Sequence, residues 1–285
     1  MSVLLVASSE PRAGRSLLAA AIAYRLGRDG RPVTLARLAG DESAALDAAA
    51  FAALEGIVTP GAALEAAAAK ALAGDLVLEA PAGPVAKLAE ALGAKVIAVA
   101  EPGAAALDAA PAATVLVRVR AADVAAAAAQ DGVLAVLAED PALAAPSVRD
   151  IAAALHARQL AGDLLGSVDG LMIGTVASDA ATPYFRNRAR TCIVTRYDKT
   201  DIQLAALQTD MACLLLTGGG EPSPYLLDRV RSSHDDIAVL LAEASTVEAV
   251  RAIEPLYATS RFEGQGKLER AIALLDAASF PLDLG

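Results

Sequence analysis

The chain has 285 residues, 55% of them apolar with alanine the commonest, no Trp and a formal charge of −10. The acidity is spread evenly: residues 1–142 carry 11 basic and 16 acidic side chains, and the remainder carries 13 and 18. Without a basic patch or aromatic surface, nucleic acid and anionic membrane are excluded as main partners.

This length suits two domains of ordinary size, each burying its own core. Cys192 and Cys213 lie in apolar, strand-like runs outside any paired-cysteine or Cys/His ligand pattern. They read as buried, reduced thiols. No basic n-region precedes the first apolar run, and no apolar segment reaches the ~18 residues of a membrane span. A cytoplasmic protein is the expectation.

The chain opens with a strand, Val3 to Val6, then a turn-rich loop from Ser8 to Ser16, then helical spacing from Leu17 to Leu26. This is the grammar of a phosphate-binding loop, with an altered vocabulary. Gly14-Arg15-Ser16 stands where Gly-Lys-Ser is usual, and Ser9 stands where the first glycine belongs. Backbone N–H groups at the start of a helix still favour an anion, and Ser16 could hold magnesium. A guanidinium at position 15 is a planar fork in place of a compact ammonium, so binding is easier to support than turnover.

Val33–Arg37 reads as the second strand. Asp41-Glu42-Ser43 opens a helix through Leu54, with Asp41 and Asp47 complementing its dipole. A helix is predicted over 61–72, then a buried strand, Asp75–Glu79, ending in an acid. An acid at the carboxyl end of a strand beside a phosphate loop is placed to hold a metal-bound water, which makes Glu79 the leading polar candidate. Helix 85–92, strands 95–100 and 114–119, helix 123–129 and strand 133–137 follow. Strands alternating with helices predict a doubly wound α/β fold with a parallel sheet.

A proline-punctuated connector, Glu139 to Ser147, marks a domain boundary, with domains expected at 1–145 and 146–285. Ser147 with Asp150 can cap a helix to about Leu160. Strands are predicted at 171–174, 192–195, 213–216 and 238–241, with helices at 180–189, 201–207, 224–231 and 247–253. An amphipathic helix, Lys267–Ala277, closes this second, smaller α/β domain. Two polar loops follow its strands: Arg196, Asp198, Lys199, Thr200 and Asp201 in one, Gly218-Gly219-Gly220 in the other. Both fall at the sheet edge where open α/β folds bind ligands, although Thr200 or Asp201 could equally cap a helix and the glycines could equally make a tight turn. His156, read within a helix, and His234, in a polar loop, have no acid or nucleophile arranged around them. No esterase elbow or zinc pattern is present.

On Ser8 to Ser16, Glu79 and Val136-Leu137-Ala138-Glu139-Asp140-Pro141, residues 1–145 resemble the dethiobiotin-synthetase-like P-loop domain at the N-terminus of long phosphotransacetylases. Residues 165–255 resemble the DRTGG domain that follows it there. The carrying motifs are Tyr184-Phe185-Arg186, Thr195 to Leu204 and Leu216 to Pro222. These segments leave no room for a phosphotransacetylase catalytic domain. The resemblance implies phosphate or nucleotide contacts from Ser9, Gly14, Arg15, Ser16 and Arg37, with magnesium on Ser16 and Glu79 in an active enzyme. Arg37 stands where the synthetases have a second lysine, Val117 stands near their adenine-reading asparagine, and the segment from Glu79 to Thr114 is short.

Two functions are therefore expected in order of preference. The first is a non-catalytic or weakly catalytic regulatory or sensor protein whose degenerate P-loop domain binds a nucleotide or another small anion weakly or not at all, dimeric through its DRTGG-like domain, with a separate metabolic enzyme as a candidate partner. The second is an ATP- and magnesium-dependent ligase or amidotransferase-like enzyme, with Asp41 or Asp47 assisting.

Overall fold

The structure is a computed structural model that describes residues 2–28, 30–164, 166–176, 178–232 and 237–281. His234 and Asp29 lie outside these. The described residues divide into two compact units, 1–143 with 262–285, and 144–261.

In the first unit, β1 (Val3–Ala7) runs through the loop 8–14 into α1 (Arg15–Arg28). Then come β2 (Val33–Arg37), α2 (Ala44–Ala52), α3 (Ala66–Lys70), β3 (Asp75–Glu79), α4 (Ala86–Leu92) and β4 (Lys95–Ala100). β5 (Ala113–Val119), α5 (Val124–Ala128) and β6 (Val133–Ala138) complete the sheet. Its six strands, in the order β2-β3-β1-β4-β5-β6, are all parallel. Alternate residues serve opposite faces. Leu4, Val6 and Val77 share a core with α1, whereas Leu5, Ala7, Leu76 and Leu78 pack with α4.

The helix predicted over 61–72 is shorter, because Leu64 in its first part is in extended chain that bridges Leu38 just past β2. Only Ala66–Lys70 turns helical.

After α6 (Pro141–Ala144), the second unit has α7 (Val148–Ala154), β7 (Arg158–Ala161), β8 (Gly170–Ile173), α8 (Ser178–Phe185) and β9 (Thr191–Arg196). It continues with α9 (Thr200–Ala206), β10 (Met211–Thr217), α10 (Pro224–Ser232), β11 (Ala238–Ala242), α11 (Thr246–Ile253) and α12 (Leu256–Thr259). The five-stranded sheet runs β7-β11-β10-β9-β8, parallel except for β7 at one edge. Ile193, Leu214, Leu216 and Val239 pack towards α8, α9 and α10, while Cys192, Cys213, Leu215 and Leu240 pack towards α7 and α11. Both cysteines are free and buried on adjacent strands.

Two expectations are corrected here. The capped helix ends at Ala154 rather than about Leu160, because His156 takes a left-handed turn (φ 47°) and the next residues form strand β7. His156 therefore lies past the helix. The cap itself is as expected, with Ser147 and Asp150 forming a reciprocal box. The closing helix, α13 (Gln265–Ala277), belongs to the first unit and not the second. Its Leu268, Ile272 and Leu275 join the core of Leu18, Ile22 and Leu26, and Asp276 pairs with Arg25 of α1 at 3.1 Å.

Candidate functional site

Gly14 takes φ +83°, a conformation that suits glycine, and lets the loop after β1 swing into the first turn of α1. That first turn carries no acidic residue, so the positive end of a fourteen-residue helix is not offset by its own side chains. Arg15 is 6% exposed, and its Nη1 is buried without a hydrogen-bond acceptor. A donor buried without an acceptor costs about 1–3 kcal/mol.

Parallel register brings Glu79 beside Val6 on one side and Arg37 on the other. Its carboxylate accepts a hydrogen bond from the Ser16 hydroxyl at 2.9 Å. Arg15 Nε lies 3.8 Å from Oε1 and Arg37 Nε 3.6 Å from Oε2. Glu79 is 1% exposed. That burial raises its pKa to about 7, against the lowering pull of the two guanidiniums and Ser16. Burial also lowers the pKa of Arg15.

Arg37 is fully buried and committed within the protein. Its Nη2 donates to Asp41, its Nε pairs with Asp47 at 3.3 Å, and its Nη1 donates to the Leu38 carbonyl. Ser43 joins Asp41 and Asp47 in the same network. The two aspartates thus compensate a buried cation rather than simply a helix dipole. Ser9 donates to the Ala105 carbonyl at 2.7 Å. Arg118 at the end of β5 (φ 54°) donates to the Arg12 carbonyl at 3.0 Å and pairs with Glu101. Sequence reasoning missed Arg118, which sits one residue past the buried Val117 and ties β5 to the loop.

These groups fit an anion better than magnesium. A divalent ion on Ser16 and Glu79 would compete with two guanidiniums for the same carboxylate. Among the described residues, no group of three or more His, Cys, Asp or Glu is arranged to hold a metal.

In the second unit, fully buried Gln203 donates to the carbonyls of Arg196 (2.7 Å) and Tyr197 (3.0 Å), fixing the loop after β9. Arg196 pairs with Asp198 at 2.9 Å. The Tyr197 ring lies over the glycines after β10: a Cβ at Gly220 would stand 2.2 Å from it, and one at Gly219 would stand 2.5 Å from the Glu243 carboxylate. Close approach of the ring therefore accounts for glycine at 220, and a left-handed backbone (φ +67°) for glycine at 219. Of the residues singled out in the sequence, Arg196 and Lys199 line a cleft, while Asp198, Thr200, Asp201 and Gly218–Gly220 do not. Thr200 and Asp201 open α9, where the preceding Lys199 makes no side-chain cap.

Residues 150–256 match the DRTGG domain family. A DRTGG domain thus occupies most of the second unit. The CBS and DRTGG domains of the regulatory region of Clostridium perfringens pyrophosphatase, solved with the activator diadenosine tetraphosphate, are 17% identical to this chain. That similarity covers 39% of this chain and 47% of the other, less than half its length, with a TM-score of 0.34. Among the described residues, no helix is long and apolar enough to cross a membrane.

Proposed function

We propose that the chain is a regulatory or sensor protein. Its first unit, a dethiobiotin-synthetase-like P-loop domain with an altered loop, holds a small anion or the phosphates of a nucleotide between Ser9, Gly14, Arg15 and Ser16. Its DRTGG-bearing unit supplies self-association and a ligand surface through which a separate enzyme is informed. One observation carries this reading: Ser16 and Glu79, the pair that would face a metal in a working nucleotidase, are hydrogen-bonded to one another at 2.9 Å between two arginines. Arg15, with a buried donor lacking an acceptor, supports anion capture. Arg37 supports the site from behind, since its guanidinium is already engaged by Asp41 and Asp47.

A second reading, an ATP- and magnesium-dependent ligase or amidotransferase-like enzyme, draws on the convergence of Ser16 and Glu79 at the carboxyl edge of β1 and β3. Calorimetric titration with ATP and magnesium, run beside a phosphate-release assay, separates the two. The sensor reading expects binding that weakens in Arg15→Ala and no steady phosphate release. Sustained turnover that disappears in Glu79→Ala would overturn it. Self-association is expected as a two-fold dimer, the common closed arrangement, and a monomer by light scattering at working concentration would count against that part.

A further inference from the structure

The second unit contains a cleft of about 740 Å³ assembled from pieces far apart in the chain. The carboxyl ends of β8 and β9 form one side and α11 the other. Its volume lies within the range of small-molecule pockets. Its accessible apolar surface is aliphatic, from half-buried Val250 and the exposed side chains of Ile173 and Val247, and no aromatic ring lines it. Three cations and one acid stand around this surface: Arg196, Lys199, Arg251 and Glu254.

The cations are not equivalent. Arg196 gives two nitrogens to Asp198, at 3.1 and 2.9 Å, and is neutralised by it. Among the described residues, neither Lys199 nor Arg251 forms a salt bridge; at longer range Lys199 acts on Asp198 and Arg251 on the capping Glu248. With Asp198 spent on Arg196, the rim retains a net positive charge in a chain whose total is −10. A local cationic excess beside aliphatic surface recognises a molecule with a negative head and a saturated body. Without a ring to stack on, a nucleobase gains little here.

We infer that this cleft binds a small aliphatic anion, a short-chain carboxylate or phosphate monoester, with its head on Lys199 and Arg251 and its chain on Ile173, Val247 and Val250. The inference rests on the reading that the second unit carries a ligand site, and it is independent of the loop at Arg15. The two head groups share one chemistry, charge with several acceptor oxygens, and separate experimentally.

The test titrates the full chain by calorimetry with hexyl phosphate, with hexanoate, and with inorganic phosphate as the head alone. One of the six-carbon probes is expected to bind at least about tenfold more tightly than inorganic phosphate, and the tighter arm identifies the head. Lys199→Ala and Arg251→Ala, both exposed and outside the core, are each expected to weaken that probe about tenfold. Val247→Asp should abolish binding at the cleft, and in Arg15→Ala, which lacks the loop site, the tighter six-carbon site should remain. The inference fails when neither six-carbon probe binds, when neither exceeds inorganic phosphate, or when both cleft variants bind as the parent does. Loss of binding in Arg15→Ala would move the ligand to the first unit, ending this inference and leaving the loop reading intact. Light scattering adds the last arm: Val247→Asp that splits a dimer without changing probe affinity would give the cleft to a second copy and overturn the proposal.

Discussion

At the scale of single residues, Glu79 sets the behaviour of the first unit. Burial holds its pKa near 7, well above the 4.5 of the free side chain. Between those values the folded state binds more protons than the unfolded one, so stability falls as pH rises from about 4.5 to about 7 and levels beyond. Glu79→Gln should flatten that slope in chemical denaturation at pH 5, 6 and 7; an unchanged slope would mean that the carboxyl is already ionised in the fold. In the proposed reading, the same proton governs anion capture at the loop. When Glu79 is neutral, Arg15 is no longer offset and an incoming dianion meets less repulsion. Sulfate, whose own charge is constant across this range, should bind about tenfold more tightly at pH 6 than at pH 8 if the protonated form is the competent one. Calorimetry of Glu79→Gln should show tight binding with no pH trend, whereas Arg15→Ala should lose affinity at every pH.

At the scale of elements, the loops after β9 and β10 hold each other. Tyr197 reaches across the glycine run, and Gln203 ties the Tyr197 loop back from α9. Gly220→Ala would press a methyl into the ring and is expected to cost about 1–3 kcal/mol, the usual range for overpacking. Tyr197→Ala in the same chain should remove most of that penalty, and a double-mutant cycle by urea unfolding measures the coupling. Additive losses would show that the glycines answer to something other than the ring. This pairing explains an uneven legibility of the sequence. The two loops stood out because polar residues followed apolar runs, and the strands themselves were readable from period-2 or wholly apolar stretches such as Cys213–Leu216 and Ala238–Leu241. What the glycines were for was not readable, because a triple glycine signals backbone freedom without naming the side chain that needs the space. Arg251 and Val247 were invisible for a related reason. They sit on an ordinary capped helix fifty residues beyond Lys199, and only the sheet order β11-β10-β9-β8 brings α11 over the end of β9.

At the scale of the whole chain, the alternation of strands and helices was legible, together with the division into two α/β units, but the destination of the last helix was not. An amphipathic pattern over Lys267–Ala277 says that one face must be covered and leaves the cover unspecified. The cover is α1: Leu268, Leu275 and Phe280 are 0%, 0% and 2% exposed in the core that holds Leu18 and Ile22. Arg270 adds a pair with Asp140 at 2.6 Å, and Arg25 stands 5.9 Å from the Phe280 ring centre while pairing with Asp276. Deleting residues 262–285 therefore removes part of the first core although the cut lies at the far end of the sequence. Two buried leucines and a phenylalanine, at about 2–5 kcal/mol each for large-to-small loss, rival the 5–15 kcal/mol that holds an ordinary domain together. Hydrogen exchange on the truncated chain should show amides of β1, β2 and β3 losing protection while those of β9, β10 and β11 keep theirs. The opposite pattern would return the closing helix to the second unit, and unchanged protection throughout would mean that α13 is a surface addition whose buried side chains contribute little.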